Sequence, residues 1–399
     1  MAPKTIRWGI LATGGIAVTF TKDLLVDPTT REVNDIKHTV VAAASSSSVS
    51  RANDFLNEVG APSEAQGYGS YEELVKDPNV DIVYVATPHS HHYQNCMLAL
   101  EAGKHVLCEK AFTVNAEQLR LLMEKAKEKN LFLMEAVWTR YFPLSIYVRD
   151  IITSGKIGPV QRVLADNCQP FVHPDGPDKT ENKSRMVNMD LAGGALLDLG
   201  IYSLTWVFQT LYTTQPKEQR KRPKILSFAK PYMTGADAQT SMILEFPRDE
   251  AQGGPAHAFA GTGMMFGSDY DDVPCIRISG TKGEIQVFPP AFRPTRTRLL
   301  LRDGGVEEKK WPQPGPGAGS GWKNGFLGDF NAEGEGHGMF WEADEAARAI
   351  VEGRKEGKYE DLDESLLIME IMDEVRKSAG QRYPEEIEST KYPVDLKGK

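Results

Sequence analysis

Three small residues in the run Gly9-Ile10-Leu11-Ala12-Thr13-Gly14-Gly15-Ile16-Ala17, at positions 12, 14 and 17, fall at the spacing of a dinucleotide-binding turn. Without bulky side chains there, backbone can approach a pyrophosphate, and the helix that follows turns its positive N-terminal end toward the phosphates. Ala12, Thr13, Gly14, Gly15 and Ile16 are therefore candidate cofactor contacts, Ala12 standing where the first glycine is usual. The alternative is a glycine-rich turn with a purely structural purpose.

A chain restricted to NAD would end its second strand in Asp or Glu, which accepts a hydrogen bond from the ribose hydroxyl. Here that place holds Ser45-Ser46-Ser47-Ser48, followed by Arg51. Hydroxyl donors and a guanidinium hold a 2′-phosphate that a carboxylate would repel, so Ser45, Ser46, Ser47 and Arg51 point to NADP. One of these serines also suits the cap of the next helix. A later strand ends in Thr87-Pro88-His89-Ser90-His91-His92. Three close histidines raise the question of a metal, but zinc-like spacing and a remote third ligand are missing. Thr87, Pro88, His89 and His92 read instead as cofactor contacts, or as a cap for a helix starting near Tyr93.

The apolar run Val106-Leu107-Cys108 ends in Glu109-Lys110. A lysine at such a point is either a surface terminus or a desolvated catalytic group, and only the second explains why Glu109 accompanies it. Asp198 and Tyr202 stand four residues apart, one turn apart if a helix begins there, and would then face one pocket.

Positioning these groups requires a particular set of elements. Strand candidates Ile6 to Ala12, His38 to Ala44, Ile82 to Ala86, His105 to Cys108 and Phe132 to Glu135 alternate with helical stretches such as Ser70 to Val75, Tyr93 to Ala102 and Ala116 to Lys127. That alternation predicts an α/β fold, a doubly wound parallel sheet over residues 1–143. Beyond Pro143 the pattern changes to alternating strands, Ser241 to Phe246, Cys275 to Ser279 and Glu284 to Phe288, which predicts an α+β domain over 144–399 with a large open, mostly antiparallel sheet. Trp311 to Gly338, dense in Gly and Pro, reads as a surface loop that orders over a ligand or partner, or as a disordered insertion. Met339 to Glu352 and Glu364 to Lys377 read as helices.

A length of 399 residues supports two cores, and an excess of 55 acidic over 46 basic residues, net -9, argues against nucleic acid or acidic membranes as partners. No apolar stretch reads as long enough to cross a bilayer, so a cytosolic location is expected. Cys96, Cys108, Cys168 and Cys275 form no CxxC pair, and neither disulfide nor zinc is expected.

The runs GILATGGIA, VYVATPHSHHYQN, VLCEKAFTVNA, LFLMEAVWTRYFPL, AGGALLDLGIY and GHGMFWEADEAARAI resemble the glucose-fructose oxidoreductase and inositol dehydrogenase family, over almost the whole chain. Within it they are most similar to the branch of fungal NADP-dependent D-xylose dehydrogenases and dimeric dihydrodiol dehydrogenases. The family's usual Glu-Lys-Pro is Glu109-Lys110-Ala111 here. The resemblance implies that Lys110 is the essential lysine, Tyr202 the acid-base group and Asp198 a substrate-pocket aspartate. It places Trp138, Arg140 and Tyr141 along the nicotinamide and substrate cleft, with Arg185 and Asn188 as sugar contacts and Glu109 beside the cofactor. It also implies a homodimer joined through the C-terminal sheet.

The implied activity is oxidation of D-xylose, and of D-glucose as a further substrate, to the aldonolactone. The competing activities are dihydrodiol oxidation or dicarbonyl reduction, and, from another class, a non-catalytic NADP sensor. A base must reach the anomeric hydroxyl, and a free phenol titrates at ~10, about three units above neutrality, so an ammonium is needed to favour the phenolate. Tyr202 as base with Lys110 as that ammonium, or the two roles exchanged, both satisfy the requirement.

Overall fold

The computed structural model describes residues 2–172, 184–325 and 332–396. Contacts divide the chain into two compact units, Met1–Trp138 with Pro312–Leu366 and Glu385–Lys399, and Thr139–Trp311 with Leu367–Pro384. A single division near residue 143, as the sequence pattern suggests, places everything after it in one domain. The chain instead returns twice to its first unit, which contiguity in sequence cannot reveal.

The first unit runs β1 (Lys4–Leu11), α1 (Gly15–Leu24), β2 (Ile36–Ala44), α2 (Val49–Val59), β3 (Gln66–Tyr68), α3 (Tyr71–Lys76), β4 (Ile82–Val85), α4 (His89–Glu101), β5 (His105–Glu109), α5 (Ala116–Glu128) and β6 (Leu133–Ala136). All pairings are parallel, in the order β3-β2-β1-β4-β5-β6. Parallel strands need covered faces, and β4 is accordingly buried at every position. Right-handed crossovers that run outward from β1 and then back to β4 put their helices on opposite faces. The order reverses between β1 and β4, and at such a switch point a crevice opens beyond the carboxyl ends of the strands.

The second unit contains α6 (Pro143–Thr153), β7 (Val160–Cys168), α7 (Ile201–Leu211), β8 (Lys224–Pro231), β9 (Asp237–Phe246), β10 (Ala256–Gly263), β11 (Ile276–Gly280), β12 (Gly283–Val287), β13 (Arg296–Leu301) and β14 (Val306–Lys310). They form one sheet, β14-β13-β12-β11-β7-β10-β9-β8, parallel only between β7 and β10. Helix α7 packs on β7 and β10 and is buried along its whole length. The helical run Met189–Leu211 is long and apolar enough to cross a bilayer by length and composition, contrary to the expectation that no stretch would be, and it is almost wholly buried as a core element.

Two helices follow, α8 (Phe340–Glu352) and α9 (Leu362–Ser378), and then the short α10 (Glu385–Glu388). Buried polar groups hold α8 to the first unit. Asp344 accepts from Arg31 Nε and Nη2 at 2.7 and 2.8 Å, and His38 Nε2 lies 2.9 Å from it. Trp8 Nε1 donates to His38 Nδ1 at 3.1 Å, which puts the imidazole proton on Nε2. Burial lowers the His38 pKa, so this pair is a neutral imidazole and a carboxylate whose charge Arg31 balances. Asp23, on α1, accepts from the amides of His337, Gly338 and Met339 and from Asn324 Nδ2, at 2.6–2.9 Å. The described parts of the Trp311–Gly338 segment are thus anchored, while residues 326–331 lie outside the described residues.

Glu342, on α8, is fully buried, and neither carboxyl oxygen has a hydrogen-bond partner among the described residues. Burial, with Glu109, Asp23 and Glu360 adding like charge, holds its carboxyl well above the usual range, so the native state keeps this group protonated. Because the folded pKa exceeds the unfolded one, the native state binds the extra proton, and stability falls as pH rises above the unfolded value. Glu342→Gln keeps the shape and removes that dependence. Urea midpoints are expected to show its stability relative to the parent chain rising between pH 5 and pH 8 by on the order of 1 kcal/mol or more.

Candidate active site

The carboxyl ends of the parallel strands bring together most of the cofactor candidates. Ala12 follows β1, its amide bonding Ala44 O at 3.1 Å, so the turn and the end of β2 lie side by side. Ala12 has φ +82°, a left-handed conformation that favours glycine and explains why glycine is usual at this position. Gly14 starts α1 with no side-chain cap, and a Cβ added there would meet nothing within 4 Å. Uncapped helix amides facing open space are the features a pyrophosphate needs, so Thr13, Gly14, Gly15 and Ile16 fit that group.

At the end of β2, Ser48 caps α2 by accepting from the Arg51 amide at 3.2 Å, as expected of one serine in this run. Ser45 Oγ and Ser47 Oγ are 2.8 Å apart, and Ser46 is exposed. Arg51 is exposed, and no ion pair engages its guanidinium among the described residues. Of the candidates in this run, Ser46, Ser47 and Arg51 are thus exposed, while Ser45 is buried.

Beyond β4, the helix expected from Tyr93 begins at His89, because Pro88 in extended conformation takes the N-cap position. The histidines diverge. His91 Nδ1 lies 2.8 Å from Ser90 Oγ, His89 Nε2 3.1 Å from Lys110 O, and His92 bridges Ala111 O and Thr87 O. Thr87 Oγ1 accepts from Asn95 at 3.2 Å.

Strand β5 delivers the lysine turn. Glu109 is buried and accepts a short hydrogen bond from Tyr84 OH, while Lys110 is half-buried at the strand end. The Lys110–Ala111 peptide is cis. Phe112 N donates to Glu135 Oε1 at 2.9 Å, so side chains restrain the turn where the family's proline is missing. Trp138, the last residue of this stretch, stacks on His337 at 4.6 Å and 10° between planes.

In the second unit, Asp198 and Tyr202 are both buried, at the junction of α7 with the wide turn Leu196–Gly200 that precedes it. Arg185 Nη1 and Nη2 donate to Asp198 Oδ1 and Oδ2 at 3.3 and 3.5 Å, bringing two of the predicted substrate contacts together. Asp237 caps this turn, its Oδ2 accepting from Leu196 N at 2.6 Å. Gly194, at φ +138°, admits it: a Cβ there would stand 2.2 Å from Asp237 Oδ1. Asn188 spends its Oδ1 on the amide of Asp190 at 2.9 Å. Tyr202 tilts toward Phe292 with centroids 5.9 Å apart. Arg140 is wholly buried and donates to Thr213 Oγ1 at 3.3 Å, and Tyr141 is buried beside it in sequence.

Family models match both parts: an oxidoreductase family with an NAD-binding Rossmann fold over residues 6–137, and the GFO/IDH/MocA C-terminal domain over 146–286. The chain belongs to the GFO/IDH/MocA oxidoreductase family. It is 51% identical to a D-xylose 1-dehydrogenase (NADP(+)) of Hypocrea jecorina, covering 98% of this chain and 96% of that protein. It is 35% identical to a trans-1,2-dihydrobenzene-1,2-diol dehydrogenase of Sus scrofa, covering 96% and 99%. An NAD binding oxidoreductase from Klebsiella pneumoniae has the same fold, with a TM-score of 0.73, 20% identity and coverage of 94% and 97%.

Sequence reasoning missed His337, Asp237 and Glu135, which support the residues it found. The paired glycines 193 and 194 were the available signal for Asp237, and the Gly336-His337-Gly338 run that for His337.

Proposed function

We propose that this family member oxidises D-xylose, with D-glucose as a further substrate, to the aldonolactone using NADP. The observation that carries the reading is 51% identity over 98% of the chain to an NADP-dependent D-xylose 1-dehydrogenase. The uncapped Gly14 turn and the Ser46, Ser47 and Arg51 group support the cofactor. NADP, when bound, supplies the acceptor for hydride from the anomeric carbon. Tyr202 takes the anomeric hydroxyl proton, Lys110 contributes the positive charge that favours its phenolate and bonds the same sugar oxygen, and Asp198, braced by Arg185, orients the sugar. Trp138, stacked on His337, offers a rigid aromatic edge for the nicotinamide or the sugar.

A second reading, dihydrodiol oxidation, draws on the 35% identity to dihydrodiol dehydrogenases. Initial rates at 340 nm with D-xylose, D-glucose and a trans-dihydrodiol, each with NADP and NAD, separate the readings. The proposal requires D-xylose with NADP to give the highest kcat/KM, and a preference for the diol would overturn it.

The proposed assembly is a homodimer through the open sheet. Leu226, Ile243 and Phe259 lie in register across β8, β9 and β10, and with Phe228 they form an exposed apolar row, Leu226 at 70% and Phe228 at 83% accessibility. A second copy would cover it. Sedimentation at dilute concentration checks this, a purely 44.2 kDa species counting against the dimer. A cytosolic setting belongs to the same proposal, and four buried, free thiols suit it.

A further inference from the structure

The backbone of the lysine turn is held almost entirely by side chains from elsewhere in the first unit. His89 Nε2 lies 3.1 Å from Lys110 O, His92 Nδ1 lies 2.9 Å from Ala111 O, and Phe112 N is bonded to Glu135. The two imidazoles meet edge to face, centroids 5.5 Å apart at 82°, so each fixes the other's plane. They sit in the first turn of α4, which begins at His89 with Pro88 as its N-cap. His92 is 1% exposed, and its other nitrogen lies 2.8 Å from Thr87 O, at the end of β4. One ring thus joins the turns that follow two adjacent strands.

We infer that His92, assisted by His89, is a positioning residue for Lys110, holding the lysine turn in place through the carbonyl of Ala111. This is an alternative to the cofactor contact expected of His92, and it rests on the proposed catalytic role of Lys110. Both ring nitrogens of His92 face main-chain carbonyls, which leaves neither for a metal ion. Burial pushes the His92 pKa down to about 4, so the imidazole is neutral under assay conditions and has one N–H for two carbonyls. The bond to Ala111 O is the one that bears on Lys110. A displacement of ~1 Å in a reacting group can lower a rate by as much as 10²-fold, so loosening this bond is expected to act on kcat.

The side-chain amide of Asn reaches roughly as far as the Nδ1 position and that of Gln roughly as far as Nε2, so the two replacements separate the carbonyls. His92→Phe is expected to lower kcat for D-xylose by about 10- to 100-fold, with KM and the NADPH dissociation constant within about threefold. His92→Asn, which keeps a donor toward Ala111 O, should recover most of kcat, and His92→Gln should not. Placed in the Lys110→Met background, His92→Phe should add nothing to the loss, since its effect passes through the lysine. Thermal melting checks that each variant is folded, and the Asn and Gln pair decides the matter even if His92→Phe is not. Loss of NADPH affinity in step with kcat, recovery by Gln but not Asn, or an additive loss in the Lys110→Met background would each overturn the inference alone. Full activity of Lys110→Met would overturn the reading beneath it as well.

Discussion

Lys110→Met is expected to lower kcat/KM for D-xylose by ~10³-fold, and Tyr202→Phe by 10²- to 10⁴-fold, while NADPH still binds both proteins. Lysine loses its charge and donors in methionine at nearly constant length, and phenylalanine removes only the phenolic oxygen, so the losses report chemistry more than packing. The two variants differ in their pH profiles. With Tyr202 as base, activity in the parent chain rises toward alkaline pH as the phenolate becomes available, and Tyr202→Phe removes that rise. In Lys110→Met the phenol loses a charge that favours its ionised form, so the rise should persist but move to higher pH. A Tyr202→Phe profile that keeps the rise, with Lys110→Met losing it, would exchange the two roles and make a neutral lysine the base. Asp198 is a milder case: it is held by Arg185 and its proposed part is to orient the sugar, so its loss should fall more on KM than on kcat.

What the sequence disclosed follows from where each signal is stored. The strands β1, β2, β4 and β5 could be read because a buried parallel strand is a short β-branched run between turns, and because Glu109 and Lys110 interrupt such a run with charge. Helix α7 could be entertained from the Asp198–Tyr202 spacing but not delimited: it is buried on all sides, so it carries no polar stripe to mark a helical period. The strand β14, Val306-Glu307-Glu308-Lys309-Lys310, is exposed at every position and has the charges that protect a sheet edge, so alternation is absent. The three-residue β3 is too short to show a pattern. The return of α8 to the first unit depends on Asp344 finding Arg31 and His38 far away in sequence, and the Asp237 cap depends on a similar distant encounter. The candidate catalytic residues stand at element ends, where sequence is informative. The residues that hold them came from other elements, and only the fold discloses those.

Arg51→Ala combined with Ser46→Asp is expected to move cofactor preference toward NAD by ~10³-fold in the ratio of kcat/KM values. Arg51 follows the end of β2, exposed and engaged in no ion pair among the described residues, and Ser46 is exposed in the same loop, so both are available to a 2′-phosphate. Ser48 is already committed as the α2 cap, which is why it is left unchanged. Hydrogen bonds to a charged group contribute about 1.5–3 kcal/mol, so removal of the guanidinium should weaken NADP by about 10- to 100-fold and leave NAD nearly unaffected. An aspartate at 46 then opposes the phosphate and can accept from the ribose hydroxyl, which acts on both cofactors in opposite directions. Because the variants lie away from Lys110, kcat with saturating cofactor should change little. The measurement is kcat/KM for NADP and NAD in the parent chain, the two single variants and the pair. A parallel fall with both cofactors would mean that this loop supports the fold of the site rather than reading the phosphate, and the choice of NADP would have to be made elsewhere in the first unit.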